Sequence, residues 1–163
     1  MKICSIKKEF YDMFDDNIEL EKNDKRPCLI IIKLKYKNKN VDFAIPFRSN
    51  IYGGAKRKEY FPLPPRHTTK QGKKHGLHYT KMFPIKKEYF LKYYSIEDKD
   101  NKNDMIKIQK NLSKIVNEAQ EYIKDYESGI RYDYCTNIEI IFNTIYGQGE
   151  NLKEVATTKD DEK

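Results

Sequence analysis

The spacing of apolar and polar positions divides the chain into a strand-forming first half and a helix-forming second half. Lys2–Ile6 alternates side chains across two faces and predicts a short strand. Glu9–Phe14 places Phe10, Met13 and Phe14 on one side of a helical turn, and Asp15–Arg26 is polar and reads as a loop. Cys28–Tyr36 (CLIIIKLKY) is a β-branched run that turns into Lys/apolar alternation, the pattern of a strand. Lys37–Asn40 supplies turn chemistry, and Val41–Phe47 returns as a second strand. The predicted hairpin delivers Arg48, Ser49 and Asn50 to the sheet margin.

Residues 48–78 are long and irregular, and connections longer than about 12–15 residues tend to be functional or disordered. Leu77–Ile85 predicts a third strand. Glu88–Tyr94 reads as a short helix or an edge strand, and Ser95–Asp104 as a charged linker. A long helix follows over Asp104–Ser128, where Met105, Ile108, Leu112, Ile115, Val116, Ala119 and Ile123 recur at three- and four-residue steps. Gly129 is placed to cap it. A second helix gathers Tyr134, Ile138, Ile141, Phe142 and Ile145 on one face and stops at Gly147; its β-branched content also admits a strand. The pattern predicts one α+β domain over residues 1–147 and a charged, flexible tail over 148–163.

Composition narrows the setting. The chain has 163 residues, enough for one domain with a real core. Mean hydropathy is −0.90. Its longest pure aliphatic run, Leu29–Ile32, falls far short of the roughly 18 residues of a membrane span. No secretory h-region opens the sequence. Cys4, Cys28 and Cys135 form neither a disulfide framework nor a CxxC pattern. A reducing, cytoplasmic setting without membrane contact is expected.

Charge changes the picture more. The net charge of +7 divides into +2 for residues 1–46, +10 for 47–94 and −5 for 95–163. The middle segment holds all three histidines, His67, His75 and His78, and interleaves its cations with aromatics between Phe47 and Phe90. Such interleaving suits a partner with both phosphates and bases. His75-x-x-His78 with His67 invites a metal, but the segment has no Asp or Cys and a strongly positive field. Neither a metal nor another cofactor is expected. There is no G-x-S-x-G, P-loop or G-x-G-x-x-G.

The remaining residue types suit metal-free RNA cleavage. There the ribose 2′-OH attacks the neighbouring phosphorus, and the protein supplies a base, an acid and cations for the developing charge. Histidine titrates near neutrality. A non-catalytic RNA-binding or scaffold module would share the same basic segment, so charge does not decide between them.

Three segments carry a resemblance: R-P-C-L-I-I-I at 26–32, A-I-P-F-R-S-N at 44–50, and H-G-L-H-Y-T-K-M-F-P-I at 75–85. Together they resemble the endoribonuclease toxins of type III toxin–antitoxin systems, the ToxN/AbiQ superfamily, and most closely its CptN/TenpN-like branch. The resemblance implies a strongly bent antiparallel sheet of the MazF/Kid type, flanked by helices. It implies metal-independent cleavage to 2′,3′-cyclic phosphate ends. It also implies inhibition by a small repeated pseudoknot RNA, which the toxin processes and with which it forms closed assemblies. Cellular or phage RNA would be the substrate. On this pattern Ser49 takes the family's post-strand serine, with Arg48 before it. Lys81 takes the late-strand lysine and Arg26 the basic position before the first core strand. The lysine that follows the serine in ToxN-like members is replaced here by Asn50, Ile51 and Tyr52, with Lys56 the nearest substitute. The candidate catalytic set is therefore Arg48, Ser49, Lys81 and His67, with His78 as the alternative acid or base. Arg26, Asn50, Lys56, Arg57, Lys58, Arg66, Thr69, Lys70, Lys73 and Lys74 are candidate RNA contacts.

Overall fold

The hairpin forms the centre of the sheet. In a computed structural model that describes residues 2–15, 18–20, 29–93 and 99–147, β2 (Leu29–Tyr36) pairs residue for residue with β3 (Lys39–Ile51). Lys37 and Asn38 between them both have positive φ, as a two-residue type I′ turn requires. β1 (Lys2–Ile6) lies on the free edge of β2 and carries β7 (Phe90–Tyr93) outside it. On the other side β3 carries β5 (Lys74–His78), which carries β4 (Tyr60–Leu63). The two-residue β6 (Phe83–Pro84) also pairs with β3. The result is a seven-stranded sheet whose pairings are all antiparallel, in the order β4-β5-β3-β2-β1-β7 with β6 beside β3.

Strand β3 is longer than its apolar pattern suggests. It continues through Arg48, Ser49 and Asn50 to Ile51, with a register shift between Arg48 and Ile51. Such a bulge bends and twists the strand that carries it. The long segment 48–78 is thereby shorter and more ordered than expected, since it contains β4 and most of β5. Gly76 makes this possible. A Cβ there would sit 2.1 Å from the carbonyl oxygen of Phe61, so only glycine permits β4 and β5 to lie this close.

The predicted strand over Leu77–Ile85 is interrupted. Ala44 lies opposite Phe83 and Phe47 opposite Leu77, so three steps along β3 answer six on its neighbour. The excess is taken out as a 3₁₀ turn, Tyr79–Lys81. The expected linker before Asp104 is also corrected: α2 already begins at Lys99 and runs to Lys110. The long helix is two, α2 and α3 (Leu112–Glu127), broken at Asn111, whose side-chain amide donates to the carbonyl of Lys107. The apolar period crosses the break unchanged, so Met105, Ile108, Ile115, Ala119 and Ile123 all reach one core. Gly129 ends α3 at φ +93° in a Schellman arrangement, with Ile130 N–H donating to Asp125 and Gly129 N–H to Tyr126. The last segment is helical: α4 (Ile138–Tyr146) is capped by Asn137, whose side chain accepts from the N–H of Ile140. Tyr134 lies outside it.

Two cores cover the two faces of the sheet. Ile32, Leu34, Tyr36, Val41, Phe43 and Ile45 pack on α2 and α3. Cys4, Ile6, Ile31, Ala44, Phe83 and Ile85 pack on the other face with Phe10 and Phe14 from α1 (Lys8–Asp12) and its following turn. Period-2 alternation in β2 and β3 fills both at once. Helix α4 closes an edge, giving Ile138 and Phe142 to the first core and Ile141 and Ile145 to the second. Each such fully buried Ile or Phe is worth about 1.5–3 kcal/mol of transfer free energy. Beyond the end of β1, Gln120 of α3 satisfies both the N–H and the carbonyl of Lys35, so the edge of β2 is capped from the helix. Arg26, Cys28 and the predicted tail over 148–163 lie outside the described residues.

Candidate active site

The bent end of β3, the 3₁₀ turn after β5 and the segment before α4 enclose a cavity of about 730 Å³. The 3₁₀ turn is the reason chemistry collects here. It buries Thr80 and Lys81 and turns both toward the cavity, where a continuous strand would have alternated them. Arg48 and Asn50, on alternate positions of β3, line it with His78, Lys56 and Lys73. Ser49 lies between Arg48 and Asn50 in an extended strand and is not part of the lining.

Arg48 Nη1 lies 3.5 Å from Nδ1 of His78. A guanidinium only donates, so Nδ1 is the acceptor and the imidazole proton sits on Nε2. From there it is donated to Oγ1 of Thr80 at 2.8 Å. Burial, and then the charges of Arg48 and Lys81, pull the His78 pKa down to about 3. The ring is therefore neutral at physiological pH.

Lys81 is buried, and its ammonium is ringed by oxygens. It lies 3.1 Å from Oε2 of Glu19 and 3.3 Å from the Glu19 carbonyl, and it also donates to the carbonyl of Tyr134. Both residues that present carbonyls to it, Glu19 and Tyr134, have positive φ, 59° and 57°. Non-glycine residues hold such a conformation when their surroundings over-determine it. Here Thr136 N–H donates to Thr80 and Asn137 N–H to Ile18, which knits three distant segments around one lysine. Glu19, Thr80, Tyr132, Asp133 and Tyr134 line the cavity without having been singled out in the sequence. They come from loops and from the turn that interrupts the predicted third strand, and no spacing in the sequence links them.

The other candidates are spread out. Asn50 accepts from the N–H of Lys70 and donates to the carbonyl of Thr68, tying the turn that carries His67 to the cavity rim. His67 itself is exposed on that turn. Thr69 Oγ1 accepts from Arg66 N–H within the same turn. Arg66 is ion-paired at 2.6 Å with the buried carboxylate of Asp104. His75 is buried. It donates from Nδ1 to the Pro64 carbonyl at 2.7 Å, and burial lowers its pKa. Lys74 donates to the carbonyl of Ala55 and lies over the Tyr60 ring. Arg57 grips Glu118 through two oxygens, at 2.8 and 3.0 Å. With Lys58 it borders a second, smaller cavity of about 340 Å³ against α3. The cavity therefore gathers Arg48, Asn50, Lys56, Lys73, His78 and Lys81, and leaves Ser49, Arg57, Lys58, Arg66, His67, Thr69, Lys70 and Lys74 outside its lining.

The arrangement can bind an anion and hold it beside a neutral imidazole. Four cations face three carboxylates in the lining, so the cavity is selective in where it is positive rather than uniformly basic. Among the described residues no group of three or more His, Cys, Asp or Glu side chains is placed to hold a metal ion. No helix among them is long and apolar enough to cross a membrane.

No protein-family model matches the sequence, and no curated protein matches it. Solved structures do. One comes from work on bacterial type III toxin–antitoxin systems and selective toxin inhibition by a non-coding RNA pseudoknot. It superposes with a TM-score of 0.65 at 16% identity, over 91% of this chain and 98% of that one. A second, from work on a processed non-coding RNA that regulates a bacterial antiviral system, gives 0.59 at 16% identity, over 86% and 94%. The α+β fold expected from the sequence is thus the fold of these proteins, and the resemblance read from the motifs holds at that level.

Proposed function

We propose that this protein is a metal-independent endoribonuclease toxin of a type III toxin–antitoxin system, restrained by a repeated pseudoknot RNA that it also processes. The observation that carries the reading is the convergence of Arg48, His78 and Lys81 on one cavity, in a fold shared with proteins studied with regulatory RNAs. A phosphodiester in the cavity is bound by Arg48 and Lys81, which stabilise the charge of the pentavalent transition state. When Arg48 turns to the phosphate it releases Nδ1 of His78. The freed lone pair accepts the 2′-OH proton as the oxygen attacks phosphorus; the P–O5′ bond breaks to leave a 2′,3′-cyclic phosphate, and the departing 5′-oxygen takes a proton from water and becomes the 5′-hydroxyl. Ser49 enters on the family pattern, as a phosphate-orienting hydroxyl at the bend of β3; His67 enters as a residue able to titrate near neutrality, the alternative acid or base on the turn anchored by Asn50. Lys56 and Lys73 at the rim hold flanking phosphates. The setting is the cytoplasm, and the assembly with the antitoxin RNA is closed.

Purified protein incubated with total RNA and excess EDTA tests this. Cleavage with new 5′-hydroxyl ends is expected, lost in Lys81→Ala and Arg48→Ala and reduced in Ser49→Ala. A mobility shift without new ends would favour the second reading, a non-catalytic RNA-binding module. One observation supports that alternative: both ring nitrogens of His78 are already occupied, by Arg48 and Thr80.

A further inference from the structure

The 3₁₀ turn Tyr79–Lys81 is held from two sides. On the cavity side, Lys81 donates to the Glu19 carbonyl, the Glu19 carboxylate and the Tyr134 carbonyl. An ammonium has three donors, so these contacts use them all, and a phosphate oxygen can bind only by displacing one. The grip on this side therefore loosens when substrate enters.

The other side stays closed. Tyr79 opens the turn, and its ring lies outside the cavity lining, fully buried in the core that packs on α2 and α3. Its hydroxyl donates to Oε2 of Glu118 at 2.8 Å. Glu118 stands three residues after Ile115 and four before Tyr122, both buried, so it sits at the margin of the core-facing side of α3, within reach of the phenol. The carboxylate is itself fixed. Arg57 holds both of its oxygens, at 2.8 and 3.0 Å, and Arg57 is set in turn by the carbonyl of Tyr60 and the ring of Phe61. Burial, and then the hydrogen bond and charge of Glu118, push the Tyr79 pKa up, so the phenol stays a donor. A hydroxyl donating to a carboxylate makes one of the stronger hydrogen bonds in a protein. Neither Glu118 nor Arg57 lines the cavity, so substrate need not displace this anchor.

We infer that Glu118 is a positioning residue for the reaction: through the Tyr79 hydroxyl it holds the turn that presents Lys81 while the contacts on the cavity side are exchanged for substrate. This role rests on reading the cavity as an RNA-cleaving site. A displacement of about 1 Å at a reacting group can cost on the order of 10²-fold in rate, so a distant anchor of this kind shows in turnover.

The test compares Tyr79→Phe, Glu118→Leu and Glu118→Gln with wild type in single-turnover RNA cleavage, amide hydrogen exchange and urea unfolding. Tyr79→Phe deletes one oxygen and leaves Glu118 paired with Arg57. Glu118→Gln keeps an oxygen that accepts from the phenol. The amides of Met82 and Thr136, which donate to the carbonyls of Tyr79 and Thr80, report on the turn itself. Tyr79→Phe and Glu118→Leu should each speed their exchange by roughly 10- to 150-fold, the worth of a hydrogen bond to a charged group. The same two variants should lower the cleavage rate by about 10- to 10²-fold, and Glu118→Gln should recover most of it. Tyr146→Phe is the control for stability alone: it loses a phenol hydrogen bond to the Ile85 carbonyl and should cleave as wild type. Wild-type turnover in Tyr79→Phe overturns the positioning role, as does unaltered exchange at Met82 and Thr136. An equal loss in Tyr146→Phe does so too. So does a defect in Glu118→Gln as large as that in Glu118→Leu, which would place the effect in the charge rather than in the anchored phenol. All of these outcomes leave the RNA-cleaving reading standing. A wild-type protein that cleaves no RNA overturns that reading and the positioning role together.

Discussion

The guanidinium of Arg48 and the imidazole of His78 are 3.5 Å apart inside one cavity, a contact that adds to burial in holding the histidine neutral. Burial is the largest cause of the depressed pKa, Arg48 the second and Lys81 the third. Removing Arg48 should therefore raise the His78 pKa from about 3 without restoring the ordinary value near 6.5, because burial remains. A heteronuclear NMR titration of the imidazole in wild type and Arg48→Ala reads this directly. An unchanged midpoint would mean that the charge of Arg48 does not reach the ring. His78→Asn should lower cleavage by about 10²–10⁴-fold if the ring is the base, while leaving RNA binding nearly intact.

The same residues give the protein a defined acid sensitivity. His78 and His75 are both held below their unfolded pKa in the folded state. Below about pH 6.5 the unfolded chain takes up protons at these positions and the native state does not. Stability is therefore full above that pH and declines as pH falls toward 3, with a slope approaching 1.4 kcal/mol per pH unit for each histidine, on the order given by linkage. Urea unfolding at pH 7.5, 6.0 and 5.0 should show the decline, and His78→Gln should flatten it. A protein whose stability rose between pH 7.5 and 5.0 would contradict the burial of these rings.

Much of the fold was legible because period and turn chemistry agree locally. The hairpin at Lys37–Asn38, the apolar face of α3 and the cap at Gly129 all follow from residues within a few positions of one another. The misreadings have a common cause. Asn111 breaks a helix while the apolar period passes through it, so nothing in the spacing marks the break. Tyr79–Lys81 leaves an extended path because β3 bends, which is a property of a pairing some thirty residues away. For the site, Arg48, His78 and Lys81 were visible as residue types in a basic segment. Glu19 and Tyr134 were not, since they reach Lys81 only through loops closed by tertiary hydrogen bonds. The summed charge of the middle segment also overstated the cavity. Arg57 and Arg66 are spent on Glu118 and Asp104, carboxylates supplied by the acidic helical half.

That pairing makes Arg66 a scaffold residue in this fold. Asp104 is buried, with Arg66 at 2.6 Å and the unpartnered Nε2 of His75 at 4.0 Å. Removing one partner leaves the other charge uncompensated. Asp104→Ala should cost about 3 kcal/mol, the lower end for broken buried pairs because Arg66 keeps some solvent contact. Arg66→Ala should lower stability clearly and RNA affinity little, whereas Arg48→Ala should do the reverse. Chemical denaturation and anisotropy on the same preparations measure both. A large RNA defect in Arg66→Ala with unchanged stability would return this residue to the binding surface.

The contact between Glu19 and Lys81 bears on how the cavity admits an anion. Oε2 of Glu19 is 3.1 Å from the ammonium, where a phosphate oxygen would sit on binding. The carboxylate must yield this position, and it also repels the incoming charge. Glu19→Gln keeps a hydrogen-bonding oxygen for Lys81 and removes the negative charge. Its side chain is partly exposed, so the gain is modest: RNA should bind severalfold more tightly, on the order of 1 kcal/mol. Lys81→Met should lose binding and cleavage together. The two readouts also separate two roles for Glu19. Tighter binding with cleavage retained identifies the carboxylate as a placeholder for phosphate. Cleavage lost by 10²-fold or more, with binding unchanged or tighter, identifies it as the group that takes the 2′-OH proton, in place of His78.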